Sequence, residues 1–183
     1  EGEFISFLDS DDFYLPEKLE RQVYELRTST EVDVTYCAAW HFRTSDASRV
    51  GLKNLSTQPI TLKDYLEGRN HNLNTMCIRR SVWNNGFSFG EGERGRYGEE
   101  WRLQLSFAFS ALPMAFNPEP LVVVELRPDS HTIWSRQSEM KRGALAEVEQ
   151  IATRLSPLQC EAFDIRKILD QYRQKVMISL LLN

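Results

Sequence analysis

Phe4-Ile5-Ser6-Phe7-Leu8 is a compact apolar run that stops at Asp9, without the alternation of a half-exposed strand, and predicts a buried strand. Pro16 then stands at a helix start with Glu17 and Glu20 close behind it. Leu19, Val23 and Leu26 recur at helical spacing and Glu17 is placed to pair with Arg21, so a helix is expected from about Pro16 to Thr28. Val32 to Arg43 is β-branched and aromatic, which predicts a second strand. Ser45 to Pro59 is polar and reads as loop with room for one edge strand. Thr61 to Leu66 predicts a short helix, and Met76-Cys77-Ile78 a short strand.

The pattern changes at Gly86. Five of the nine glycines lie between Gly86 and Gly98, interleaved with charges, which predicts a long loop. Past it, Trp101, Leu105, Ala108, Phe109 and Leu112 mark one helical face, and Leu103, Phe107 and Ala111 another. A helix apolar on two faces is expected to be buried on most sides, ending before Pro113. Pro120 to Val124 is a strong β run. Two apolar stripes follow, Ala144-Val148-Ile151-Ala152-Leu155 and Ile165-Ile168-Leu169-Tyr172-Val176, with Pro157 between them; they predict a helical tail that folds back on the rest, with packing on a partner or a membrane surface as the alternatives, the latter disfavoured by the acidic residues among its basic ones.

Composition narrows the class. The chain has 183 residues, 42% apolar and 26% charged, which suits a folded globular chain. The net charge of −4 gives no electrostatic footprint for nucleic acid. No apolar run is long enough to cross a bilayer, so no transmembrane segment is expected. The cysteines, Cys37, Cys77 and Cys160, are dispersed and odd in number, which points to a reducing compartment rather than a disulfide framework. The chain opens at Glu1 without Met and stops straight after Leu180-Leu181-Leu182, as a segment of a longer polypeptide would.

The chemistry concentrates in Asp9-Ser10-Asp11-Asp12. Three carboxylates in four residues repel one another, and a cation would relieve that repulsion. In open α/β sheets, ligands bind beyond the carboxyl ends of strands, where this cluster falls. Asp9 and Asp11 are two apart, so an extended backbone turns both to one side, a hard oxygen pair suited to Mg²⁺ or Mn²⁺ shared with substrate phosphates. The competing expectation is an Asp-rich turn that caps the helix at Pro16. An EF-hand loop counted from Asp9 fails, because Phe13 and Tyr14 occupy the positions that need an oxygen ligand and a glycine. An Asp-x-Asp phosphohydrolase remains a minor alternative, with Glu99-Glu100 as its loose downstream acidic pair.

Phe7-Leu8-Asp9-Ser10-Asp11-Asp12, with Pro16, Lys18-Leu19-Glu20 and Gln22, closely resembles the Asp-x-Asp segment of family-2 glycosyltransferases. Tyr97-Gly98-Glu99-Glu100-Trp101 resembles that family's Gly-Glu-Asp-Trp segment. The resemblance spans Gly2 to about His131. It implies the C-terminal portion of a GT-A-type α/β domain over residues 1–131, with a helical extension over 132–183. The family's opening third, which carries most contacts to the nucleotide base, would precede it.

The resemblance further implies an inverting, metal-dependent transferase using a nucleotide-diphospho-sugar donor and a saccharide or lipid-linked saccharide acceptor. Asp11 would bind the divalent metal on the donor diphosphate, with Asp9 assisting through metal or ribose and Asp12 nearby. Glu100 would be the catalytic base, with Glu99 as fallback; Glu stands where the family usually has Asp. His131, in Arg127-Pro128-Asp129-Ser130-His131, would lie near the donor phosphates, as a third metal ligand or a phosphate contact. The implied location is cytoplasmic, including the inner face of the membrane. The contrasting class is a non-catalytic interaction module of the same fold.

Two further motifs carry less. Gly90-Glu91-Gly92-Glu93-Arg94-Gly95 matches G-x-G-x-x-G, but no strand leads into it and its glutamates would repel a pyrophosphate, so it reads as an acceptor loop. Arg79-Arg80 reads as a surface basic pair, and Trp83 and Trp101 as sugar-stacking candidates against a default of core packing.

Overall fold

The computed structural model describes residues 2–43, 48–53, 60–67, 69, 71–89, 99–126 and 137–181. Within them the element order is β1 (Phe4–Ser6), β2 (Phe13–Tyr14), α1 (Lys18–Thr28), β3 (Val34–Arg43), β4 (Ser48–Lys53) and α2 (Leu62–Leu66). A 3-10 turn at Leu73–Thr75 leads into β5 (Met76–Arg79) and α3 (Arg80–Asn84). Then come α4 (Glu99–Phe109), β6 (Met114–Leu126), α5 (Gln137–Ala152), α6 (Pro157–Ala162) and α7 (Ile165–Leu181).

The protein is a mixed α/β fold. Its strands form one sheet in the order β1-β5-β3-β6-β2, with β4 pairing the far half of β3. β3 and β6 run parallel, and the other pairings are antiparallel. On one edge β3 carries β5 over Val34–Tyr36 and β4 over Ala39–Arg43. β1 pairs with β5 in the register Ser6↔Cys77, so the end of β1 and the start of β5 lie side by side. This register places the acidic loop next to the 3-10 turn.

β6 is longer than the Pro120–Val124 run predicts. Pro118 and Pro120 lie inside it, at the point where its register with β3 shifts between Cys37 and Ala39. A bulge tolerates the missing N–H groups that a regular ladder would require.

The inward face of α1 departs from expectation. Lys18, Gln22 and Leu26 are the buried residues, while Leu19 is 47% exposed. Gln22 Nε2 donates to the carbonyls of Thr75 (2.9 Å) and Thr35 (3.3 Å), and Lys18 Nζ donates to Ser6 Oγ (2.8 Å). Burying carbonyl oxygens without donors is costly, so polar side chains rather than leucines occupy this face. Arg21 pairs with Glu119 and not with Glu17.

Arg79 is half-buried rather than a surface cation. Its guanidinium donates to the main-chain oxygens of Val32 (2.9 Å), Leu26 and Ser29 (3.3 Å), two of them at the end of α1. That end carries unsatisfied carbonyls and partial negative charge, which a guanidinium satisfies at once.

Two cores meet on α4. Leu103 and Phe107 join Val34, Tyr36, Met76, Ile78 and Val82 against the sheet. Leu105 joins Tyr65, Leu66, Val148, Ile151, Ile168 and Tyr172, and Trp101, Ala108 and Phe109 pack against that group. The two apolar faces read from the sequence thus serve different cores, and the helical tail folds back on α2 and α4. Two residues depart from this, both past the end of the helix: Ala111 is exposed, with φ of 52°, and Leu112 packs against the sheet-side core rather than with Trp101 and Leu105.

Candidate functional site

The acidic loop, Phe7 to Asp12, leaves the end of β1 and is fastened at both ends. At its entry, Tyr14 donates its hydroxyl to the Phe7 carbonyl, and Ser6 Oγ lies 2.8 Å from the same hydroxyl. Lys18 Nζ sits 4.0 Å from the centre of the Tyr14 ring while it donates to Ser6. Burial without a carboxylate partner pushes the Lys18 amine down to about 8.

At its exit the loop is held by an amide that no sequence pattern singles out. Asn74, fully buried in the 3-10 turn, accepts from the Asp9 main-chain N–H through Oδ1 at 2.7 Å. Its Nδ2 donates to Asp9 Oδ2 at 3.1 Å and to Asp12 Oδ2. Asn74 is set in turn by Asn72, whose Oδ1 accepts from the Asn74 N–H at 2.9 Å.

The three aspartates have different surroundings. Asp12 is 8% exposed, and its second oxygen accepts from the Glu125 N–H of β6 at 2.8 Å. Desolvation by burial, with the neighbouring Asp11 and Asp9 charges, pushes its carboxyl up to about 6 against the lowering effect of those hydrogen bonds. Asp9 is exposed and Asp11 half-buried, and Asp11 accepts no hydrogen bond from a described residue. The loop does not cap α1: the cap position is Glu17, which makes no side-chain capping bond.

The extended backbone expected to turn Asp9 and Asp11 to one side is not formed: Ser10 and Asp11 lie in a turn closed by the Asp12 N–H on the Asp9 carbonyl at 3.2 Å. Asp9 and Asp11 still offer hard carboxylate oxygens to a divalent cation. No group of three or more metal-ligating side chains occurs among the described residues. Mg²⁺ commonly accepts one or two carboxylates and takes its remaining oxygens from water and substrate phosphates. Asp12, with both oxygens committed to protein donors, serves the loop's shape.

Glu99 and Glu100 are the first two residues of α4, where the helix dipole favours acidic side chains. Both are half-buried. One turn on, Gln104 is fully buried and binds the His71 main chain in both directions: Oε1 accepts from its N–H at 3.0 Å and Nε2 donates to its carbonyl at 2.9 Å. The segment 71–75 is therefore common ground, holding α4 through Gln104 and the acidic loop through Asn74. His131 and the stretch from Gly90 to Gly98 lie outside the described residues.

Trp101 is committed to packing: its indole N–H donates to the Tyr65 carbonyl at 2.8 Å and its ring meets Tyr172. Trp83 belongs to an aromatic trio with Phe7 and Phe89, ring centroids 5.4 to 5.9 Å apart, beside the loop entry. Cys37 and Cys77 are buried free thiols. No helix among the described residues is long and apolar enough to cross a membrane.

In comparisons with known proteins, no family model and no curated sequence matches the chain.

Proposed function

We propose that this chain is the metal- and acceptor-side portion of a GT-A-type, inverting glycosyltransferase resembling family 2, acting on a nucleotide-diphospho-sugar and a saccharide or lipid-linked saccharide acceptor. The observation that carries the reading is the acidic loop at the end of β1, with Asp9 exposed, Asp11 half-buried and accepting no hydrogen bond from a described residue, and Asp12 anchored. A strand end followed by an acidic turn with an uncommitted carboxylate suits a cation-bridged diphosphate.

Asp11, with Asp9 beside it, would hold Mg²⁺ or Mn²⁺. The bound ion would supply charge neutralisation for the departing diphosphate. Glu100, with Glu99 next to it, would take the proton of the acceptor hydroxyl as that oxygen bonds to the anomeric carbon. The bond from that carbon to the diphosphate oxygen breaks on the opposite face, which inverts the centre. A positioned carboxylate contributes about 10²- to 10⁴-fold to such a step. In the GT-A pattern His131 would stand near the donor phosphates.

The test is calorimetric titration of the chain with nucleoside diphosphates, with and without Mn²⁺. Binding that requires Mn²⁺ and is lost in Asp11→Asn supports the reading; binding indifferent to both, or none at all, overturns it in favour of an interaction module. Release of phosphate from an aryl phosphate with Mg²⁺ would favour the phosphohydrolase. Glu100→Gln should retain nucleotide binding and lose transfer by at least about 10²-fold; near-normal turnover in that variant would remove Glu100 from the base role.

A further inference from the structure

We infer that Asn74 is the positioning residue of the acidic loop, clamping Asp9 by its main chain and carboxylate and Asp12 by its carboxylate, so that the turn carrying Asp11 between them keeps one shape; this rests on the metal-site reading above. The argument is one of satisfied valences. A primary amide has one strong acceptor oxygen and two donor hydrogens. Asn74 spends the acceptor on the Asp9 main-chain N–H (2.7 Å) and its donors on the side chains of Asp9 (3.1 Å) and Asp12. Its own N–H is fixed by Asn72 at 2.9 Å. The Asp12 N–H closes the turn onto the Asp9 carbonyl at 3.2 Å.

Each alternative side chain fails at a different point of this pattern. Aspartate has the size but no donors, and it would face two carboxylates with a third. Leucine has the volume but leaves the Asp9 N–H and two carboxylate oxygens without partners. A primary amide supplies two donor hydrogens for the two acids together with an acceptor for the backbone, where a hydroxyl supplies a single donor. The clamp also comes from the neighbouring strand, so it ties loop geometry to the β1–β5 register rather than to the loop's own sequence. One Asp9 oxygen and both Asp12 oxygens are engaged, and Asp11 lies in the turn between them.

The role is separable from ordinary stability. Thr75, the next residue, is equally buried at 1% exposure, and its hydroxyl donates to the Asn72 carbonyl at 2.6 Å without touching the loop. Thr75→Val therefore removes a buried hydrogen bond from the same turn and leaves the clamp intact. The experiment compares wild type, Asn74→Ala and Thr75→Val by thermal unfolding, amide hydrogen exchange and Mn²⁺ affinity. Mn²⁺ alone is the probe, followed by its electron paramagnetic resonance signal.

Asn74→Ala should speed exchange at the Asp9 and Asp12 amides at least about tenfold while the β1–β5 ladder keeps its protection. It should weaken Mn²⁺ binding about 10- to 100-fold, the usual effect of removing a partner that orients a metal ligand. Thr75→Val should hold Mn²⁺ within about twofold whatever its melting temperature. Asn74→Ser, which keeps a small polar group, replaces Asn74→Ala where the latter fails to fold.

The inference is overturned by Asn74→Ala binding Mn²⁺ like wild type, or by Thr75→Val losing as much affinity as Asn74→Ala. Wild type that takes up no Mn²⁺ overturns the metal-site reading itself, and the exchange data then show separately whether Asn74 holds the loop.

Discussion

α4 carries two cores on its two faces, and they are built to different rules. Toward the tail, Leu105 meets Tyr65, Leu66, Val148, Ile151 and Ile168, a nearly continuous apolar layer. Toward the sheet, the buried apolar residues are interleaved with Lys18, Gln22, Thr35, His71, Asn74 and Thr75. An apolar layer of the right volume tolerates exchange of one hydrocarbon for another. A buried polar network requires every partner in place, and in return it specifies one geometry. The candidate site sits on the second kind, which is where a fixed carboxylate arrangement has to be built.

The largest expected effects test whether the two cores nevertheless unfold as one. Phe107→Ala, on the sheet side, removes a fully buried ring that packs edge-on to Phe87 at 5.1 Å. It should cost about 3–5 kcal/mol. Leu105→Ala, on the tail side, should cost about 2–5 kcal/mol. Both should retain a single urea transition, because α4 is common to the two cores. Two separated transitions in Leu105→Ala would make the tail an independent unit and break the comparison.

The same contrast explains what the sequence alone made legible. Apolar periodicity located both stripes of the tail and most of both faces of α4, because burial of hydrocarbon follows the helix period directly; the buried strand expected over Phe4–Leu8 is shorter, a half-buried edge strand at Phe4–Ser6 with Leu8 exposed. Periodicity misplaced the inner face of α1, where Lys18 and Gln22 are buried and Leu19 is not. The acids at 9, 11 and 12 stood out as a cluster, but their division of labour did not. Asn74 and Gln104 left no signal at all: a lone amide in a polar or helical stretch looks like surface until the carbonyls and N–H groups around it are known. Arg79 is similar, since its partners are main-chain oxygens that no side-chain pattern reveals.

A middle-sized effect follows from His71. It is 1% exposed and stacked between Tyr36, 4.2 Å away, and Phe116, 5.4 Å away. Burial pushes its imidazole down to about 4. Between its ordinary value of 6.5 and about 4, the unfolded chain binds a proton that the folded chain refuses. Stability from this group is therefore fully present above pH 6.5 and falls as pH drops through that window, by about 1.4 kcal/mol for each pH unit crossed. Asp12 acts in the opposite sense, because its raised carboxyl takes up a proton in the folded state first, between about 6 and 3.8. The difference between the wild-type and His71→Phe profiles isolates the histidine. Phenylalanine keeps the stack, and both main-chain bonds to Gln104 survive. The difference should be flat above pH 6.5 and slope below it; a flat difference down to pH 4 would show that the buried ring titrates normally.

The smallest effect sharpens the comparison most, because it exchanges one rule for the other at a single position. Gln104 stands between Leu103, which faces the sheet, and Leu105, which faces the tail. Its amide treats the His71 main chain as a strand partner would, and Tyr65 Oη adds a contact at 3.4 Å. Gln104→Leu keeps most of the volume and strands one N–H and one carbonyl in a buried place, which should cost about 1–3 kcal/mol. Gln104→Glu keeps the acceptor, loses the donor and buries a charge, and should be less stable than Gln104→Leu at neutral pH. Urea unfolding of the pair checks the order. If Gln104→Leu matched wild type, the sheet-side network would be no more demanding than the tail's apolar layer. Segment 71–75 would then owe its shape to packing alone, and the placement of Asn74 against Asp9 and Asp12 would need another cause.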